Sequence, residues 1–175
     1  MGGDHFEVLC VGGGAAGLSV ASAFTRSKKV GVIEPAKDHY YQPGWTLVGG
    51  GIKTLEETRR PMSEVMPSDA TWIKEGAATF DPENNSVVTE GGKTLTYDYL
   101  VVAAGIDIKY DGIKGLSEAL EDKKSGVTTN YSPLSVEQTW KNIQAMKNGT
   151  AIFTIPTSPI KCAGAPQKIM VSFSA

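Results

Sequence analysis

Short, continuous apolar runs separated by glycine-rich and polar breaks dominate the first third of the chain. Phe6-Glu7-Val8-Leu9-Cys10-Val11 is almost wholly apolar and stops at three consecutive glycines. Such a run reads as a parallel strand buried on both faces. The Ala- and Ser-rich stretch from Ala15 to Thr25 then predicts a helix whose small side chains allow close packing on a sheet. Val30-Gly31-Val32-Ile33-Glu34 is a second buried strand, stopped by Pro35. Strand, helix and strand within about 30 residues make one right-handed βαβ unit.

The pattern then changes. His39 to Gly51 is aromatic and Gly-rich, which suits either a surface that closes over a flat ligand or an ordinary buried loop. Shorter strands follow over Thr71 to Phe80, Ser86 to Glu90 and Lys93 to Tyr97, separated by the Asp81–Asn85 turn and the Gly91-Gly92 hairpin signal. Tyr99-Leu100-Val101-Val102-Ala103-Ala104-Gly105 is again a buried strand ending in glycine. A β-meander therefore stands where a simple crossover would use a helix. Ser135-Val-Glu-Gln138 has capping-box spacing and predicts a helix running to about Lys147. Ala151 to Ile155 reads as a strand, Pro156 to Ala165 as a loop, and Pro166 as the opening of a final helix. The fold class is thus α/β: a Rossmann-like domain with a β-meander crossover over residues 5–110, then a linker and the start of a second Rossmann-like domain over 111–175.

Composition narrows the options. The 175 residues are 41% hydrophobic and 21% charged, a globular balance, with 20 glycines. A chain of this size buries roughly 70% of its unfolded surface. Its 17 basic and 19 acidic side chains leave a net charge of −2, with no footprint for nucleic acid and no polybasic face for a membrane. Two cysteines, Cys10 and Cys162, and two histidines exclude a disulfide scaffold and a multi-cysteine zinc site, so no metal is expected. Val8 to Thr25 carries no charge over 18 residues, but Gly12 to Gly14 interrupt it and favour a soluble strand–turn–helix. Asp4 and Glu7 stand where a targeting segment would be basic, so neither a signal nor a transit peptide is expected. Asn84, Asn130 and Asn148 head chance glycosylation patterns. Arg59-Arg60 reads as a solvated loop in preference to a ligand or partner contact, His39 as a surface histidine in preference to polar lining of a ligand site, and Trp45, Trp72 and Trp140 as core in preference to ligand platforms.

Gly12-x-Gly14-x-x-Gly17 lies between the first strand and the first helix. Gly12 permits the tight turn, Gly14 lets backbone approach a pyrophosphate, and Gly17 permits close helix–sheet packing. Glu34 ends the next strand, 22 residues after Gly12, where a carboxylate accepts from ribose hydroxyls and repels a 2′-phosphate. The spacing predicts a dinucleotide other than NADP. Together with Thr96-Tyr-Asp98-Tyr-Leu-Val-Val-Ala-Ala-Gly105, it resembles the two-dinucleotide-binding flavoprotein superfamily. That resemblance implies FAD, with Gly105 letting the chain pass close to it.

After Ile155 that superfamily usually carries a second Gly-x-Gly-x-x-Gly for NAD(P)H. Here the sequence is Pro-Thr-Ser-Pro-Ile-Lys-Cys-Ala-Gly-Ala-Pro, so NADH is not the expected electron donor. Cys162 follows Lys161 and precedes a helix start, both of which favour thiolate; a small buried hydrophobe is the competing reading, and it is the one adopted for Cys10. Tyr41-Gln-Pro-Gly-Trp-Thr-Leu-Val-Gly-Gly-Gly51 and Lys161-Cys-Ala-Gly-Ala-Pro-Gln-Lys-Ile-Met170 resemble the mitochondrial-type sulfide:quinone oxidoreductase family. The likeness runs from about His5 to Met170. It implies that Cys162 is one of two redox cysteines beside the flavin. In that family sulfide attacks the sulfur bridge between them, one becomes a persulfide, and the other, matched by Cys162, is released as the thiolate that attacks the flavin ring. The resemblance implies that electrons pass to ubiquinone, and the sulfane sulfur to a small acceptor such as sulfite or glutathione. The resemblance further implies FAD contacts at Ala15, Ala16, Glu34, Gln42 and Ala77, and location at the mitochondrial inner membrane. Ala15-Ala16 replaces the family's frequent Ser-Gly, which keeps a backbone contact but not a hydroxyl one.

Two alternatives stand beside this. One is another quinone- or disulfide-linked FAD oxidoreductase of the superfamily. The other is a catalytically inactive, truncated FAD-binding fragment, because the family's FAD domain resumes after its second domain and its second redox cysteine has no match here.

Overall fold

The computed structural model describes residues 4–155 and 160–174. In chain order its strands and helices are β1 (Asp4–Val11), α1 (Ala15–Phe24), β2 (Val30–Ile33), β3 (Asp38–Tyr40), α2 (Trp45–Gly49), β4 (Arg59–Pro61) and α3 (Met62–Val65). They continue through β5 (Thr71–Ile73), β6 (Ala77–Asp81), β7 (Ser86–Thr89), β8 (Thr94–Val102), α4 (Leu116–Glu121), α5 (Val136–Ala145) and α6 (Ala165–Ser174). They fall into two compact units: Met1–Tyr40 with Arg60–Asp107, and Tyr41–Arg59 with Ile108–Ala175.

The first unit is built on a six-stranded sheet of order β5-β2-β1-β8-β7-β6. β1 is central and parallel to both β2 and β8, and β2 is parallel to β5. β7 runs antiparallel to β8 and β6, which is the expected meander. The near-continuous apolar character of β1 follows from its two covered faces. Leu9 and Val11 join Ile33, Ile73, Val87, Leu95 and Tyr97 in one cluster. Val8 and Cys10 join Ala21 of α1 with Val30 and Val32 in another. Cys10 is fully buried, as its place in the strand predicts.

Two strand boundaries differ from expectation. The predicted strands before and after Asp98 are one, since β8 pairs with β7 through Thr94–Thr96 and with β1 along nearly its whole length. The predicted Thr71–Phe80 strand is two, broken at Lys74–Gly76. Its halves serve different neighbours, β5 joining β2 and β6 joining β7, so the chain must turn a corner between them. At that corner the Glu90 N–H donates to the Gly76 carbonyl (2.8 Å).

In the second unit, α2 packs against α5 and α6. Trp45, Thr46 and Val48 are buried, so most of the aromatic passage after His39 is packed chain. A Cβ on Gly51 would lie 2.3 Å from Trp140 Cε2, so the indole rests directly on that glycine. α5 starts where Ser135 predicts, but the hydroxyl does not cap it. It donates instead to the Thr129 carbonyl (3.0 Å), and the helix stops at Ala145, short of Lys147. Ala151 to Ile155 is not a strand. An extended segment gains ladder bonds only beside another strand, and none pairs with it among the described residues; Ile152 is 81% exposed. Phe153 packs on Phe173 instead, with ring centroids 5.6 Å apart. Pro156 to Pro159 of the expected loop lie outside the described residues. Pro166 sits in the first turn of α6.

Candidate functional site

Backbone hydrogen bonds tie the glycine turn to both neighbours of β1. The Gly12 N–H donates to the Ile33 carbonyl at 2.8 Å, and the Ala103 N–H donates to the Val11 carbonyl at 2.7 Å. Gly12 adopts φ +105°, and a Cβ there would sit 2.3 Å from the Ala103 carbonyl oxygen. A Cβ on Gly17 would come within 1.8 Å of the Gly12 carbonyl oxygen. Only hydrogen fits at both places, and so α1 can begin directly above the end of β1.

Gly14 is the N-cap of α1 and provides no side-chain cap; no acidic residue occupies the first turn. Gly14, Ala15 and Ala16 are exposed, with nothing within 4 Å of a Cβ on Gly14. The helix start is therefore open, and its first N–H groups and dipole favour an anion such as a pyrophosphate.

Glu34 follows β2 and is half-buried. Its main chain is held on both sides: the N–H donates to the Ile73 carbonyl (2.9 Å), and Trp72 Nε1 donates to the Glu34 carbonyl (2.7 Å). Carboxylate Oε2 accepts from the Gly13 N–H and Oε1 from the Ala36 N–H, both at 2.7 Å. Each oxygen keeps a second lone pair, which matches the two adjacent hydroxyls of a ribose. An open helix end for phosphates beside a fixed carboxylate for a ribose fits a dinucleotide.

The structure thus brings Gly12, Gly14, Ala15, Ala16, Gly17 and Glu34 together. Gly105 lies two residues beyond Ala103, exposed and at φ +77°. Ala77 opens β6 and packs against the cluster that contains Val11 and Ile33. Gln42 starts a single 3₁₀ turn over Gln42–Gly44 and belongs to the second unit.

Cys162 also belongs to the second unit, exposed and three residues before α6. Exposure removes the small buried hydrophobe as a reading of this residue. Lys161 Nζ lies 5.6 Å from the centroid of the Tyr131 ring. Burial, and then the nearby Cys162, push the Tyr131 hydroxyl above its ordinary range. Burial likewise pushes the Cys10 thiol up, keeping it protonated and unreactive. A thiol reagent is therefore expected to label the folded protein at Cys162, while Cys10 reacts only after denaturation. Peptide mapping of the alkylated protein checks this, and rapid labelling at Cys10 would contradict it.

Three participants escaped the sequence reading. His39 was expected at the surface, yet it is half-buried with Nδ1 3.2 Å from the Gly13 carbonyl oxygen. Gly13 itself lies against Glu34, with a Cβ position 2.6 Å from Glu34 Cγ. The signal was a third glycine in a row where the fingerprint needs only two. Trp72, expected in the core, also fixes the Glu34 carbonyl; no local pattern marks that role.

A mixed sheet whose parallel central strand ends in this turn, facing a carboxylate at the end of the next strand, defines a Rossmann-type dinucleotide-binding protein. The chain belongs to the pyridine nucleotide-disulphide oxidoreductase family, whose model matches residues 6–146. It is 46% identical over 170 residues to the mitochondrial sulfide:quinone oxidoreductase of Mus musculus, covering 95% of this chain and 37% of that protein. The mitochondrial sulfide:quinone oxidoreductase of Dictyostelium discoideum is 47% identical over 169 residues, covering 94% and 37%. The solved sulfide:quinone oxidoreductase of Aquifex aeolicus superposes with a TM-score of 0.57 at 25% identity, over 81% of this chain and 32% of that one. The chain thus spans about a third of the length of these relatives.

Proposed function

We propose that this chain carries the FAD-binding part and one redox cysteine of a mitochondrial sulfide:quinone oxidoreductase. The observation that carries this is the 46–47% identity to such enzymes over nearly the whole chain. The open helix start and the doubly held Glu34 support a dinucleotide within residues 5–110, where Gly12, Gly14, Ala15, Ala16, Gly17, Glu34, Ala77 and Gly105 form the proposed contacts. FAD, when bound, accepts two electrons from sulfur and yields them to ubiquinone.

The chain's own residues define the rest. Glu34 fixes the ribose and disfavours a phosphorylated one. The α1 start neutralises the pyrophosphate, and Cys162 supplies the thiolate. In the proposed chemistry, sulfide adds to one sulfur of a disulfide that includes Cys162. The S–S bond breaks, the attacked cysteine keeps the sulfane sulfur as a persulfide, and Cys162 leaves as thiolate carrying the electron pair. The sulfane sulfur then leaves on a small acceptor such as sulfite or glutathione. Cys10, sealed inside β1, does not supply the partner sulfur. The proposed location is the mitochondrial inner membrane. Among the described residues no helix is long and apolar enough to cross a membrane.

A protein that carries this chain together with the partner cysteine is expected to reduce a short-chain ubiquinone analogue with sulfide as donor and not with NADH. Quinone absorbance in the presence of each donor reads this directly; reduction by NADH alone would overturn the assignment.

A further inference from the structure

We propose that His39 is a positioning residue for the dinucleotide turn: its Nδ1–H donates to the Gly13 carbonyl and, with Glu34 holding the Gly13 N–H, fixes the peptide from which α1 and its phosphate-facing amides begin. The two bonds, at 3.2 and 2.7 Å, grip opposite ends of one residue. Gly13 is buried and lies in a turn made wholly of glycine, where the backbone has more freedom to lose than in a turn with side chains. A carbonyl oxygen only accepts, so Nδ1 must carry the proton. Either the neutral Nδ1–H tautomer or the imidazolium serves. His39 reaches the turn because β3 follows β2 after only Glu34 to Lys37, and the Met62 N–H holds the Lys37 carbonyl at 2.8 Å. Asp38 and Tyr40 flank it on the same strand.

This role rests on the FAD reading and lies outside the chemistry. His39 sets how tightly the dinucleotide binds, and not how fast sulfur reacts.

The test compares the protein with its His39→Phe and His39→Asn variants, each stripped of flavin and titrated with FAD by fluorescence quenching. Phe keeps a ring and loses the donor; Asn places an amide N–H close to where Nδ1 stood. His39→Phe is expected to weaken FAD binding about tenfold, the weight of one hydrogen bond, while His39→Asn stays within about threefold of the parent. Parent-like FAD affinity in His39→Phe would overturn the proposal, as would His39→Asn being as weak as His39→Phe. Should His39→Phe fail to fold, the imidazole ¹⁵N shifts of the parent protein decide. A protonated Nδ1 is expected, and a neutral ring carrying its proton on Nε2 would overturn the bond itself. A parent protein that binds no FAD sinks the flavin reading, while the ¹⁵N measurement still tests His39.

Discussion

Gly17→Ala is expected to empty the protein of flavin, the largest effect that a single added methyl group should have here. The new Cβ would stand 1.8 Å from the Gly12 carbonyl oxygen and 3.0 Å from its carbon, both backbone atoms with no rotamer to relieve the overlap. Either α1 lifts off the end of β1 or the glycine turn shifts. Overpacking of this kind costs about 1–3 kcal/mol, occasionally more. The same displacement carries the helix amides away from the phosphates, so FAD affinity is expected to fall at least about a hundredfold, or ~2.8 kcal/mol. Gly14→Ala is the contrast. Gly14 has φ −75° and open space around its Cβ position, so the flavin-free melting temperature should not move. In Gly17→Ala it should fall by several degrees, at roughly 2–8 °C per kcal/mol. Thermal melts of the stripped proteins and flavin content after purification read both effects. Parent-like stability and flavin in Gly17→Ala would contradict the packing described at the turn.

Cys162→Ser should behave in the opposite way, with an intact fold and lost chemistry. The side chain is exposed, and serine differs from it by one atom of similar size. Flavin content and melting temperature should match the parent. With the partner cysteine present, sulfide-dependent quinone reduction should fall on the order of a thousandfold or more, since a hydroxyl can neither form the sulfur bridge nor leave as thiolate. Cys10→Ser is the control. It places a hydroxyl in a fully buried site between Ala21, Val30 and Val32, so it should cost stability and spare turnover per folded molecule. Unchanged turnover in Cys162→Ser would remove this residue from the mechanism.

The parts legible in the sequence are those where local pattern and tertiary need coincide. Phe6 to Val11 and Val30 to Ile33 read as buried strands because both faces are covered. Gly12 and Gly17 read as a dinucleotide turn because Ala103 and Gly12 leave no room for a side chain. Prediction failed where a residue's state depends on a neighbour distant in sequence. Ala151 to Ile155 has the composition of a strand, but no ladder partner accompanies it among the described residues. Ser135 has the spacing of a cap, but the Thr129 carbonyl competes successfully for its hydroxyl. His39 gave no sign of its bond to Gly13, 26 residues earlier, because a lone histidine looks the same in any strand. Cys162 lay between two readings until its exposure removed one of them.

The function proposed above requires that this chain carry both a flavin site and a sulfur-reactive cysteine. Anaerobic stopped-flow mixing of the flavin-loaded protein with sulfide tests it most directly, with flavin absorbance as the signal and NADH as the alternative donor. With the partner cysteine present, rapid bleaching by sulfide is expected in the parent protein, none by NADH, and none by sulfide in Cys162→Ser. Bleaching by NADH, or an unchanged response to sulfide in Cys162→Ser, would contradict it.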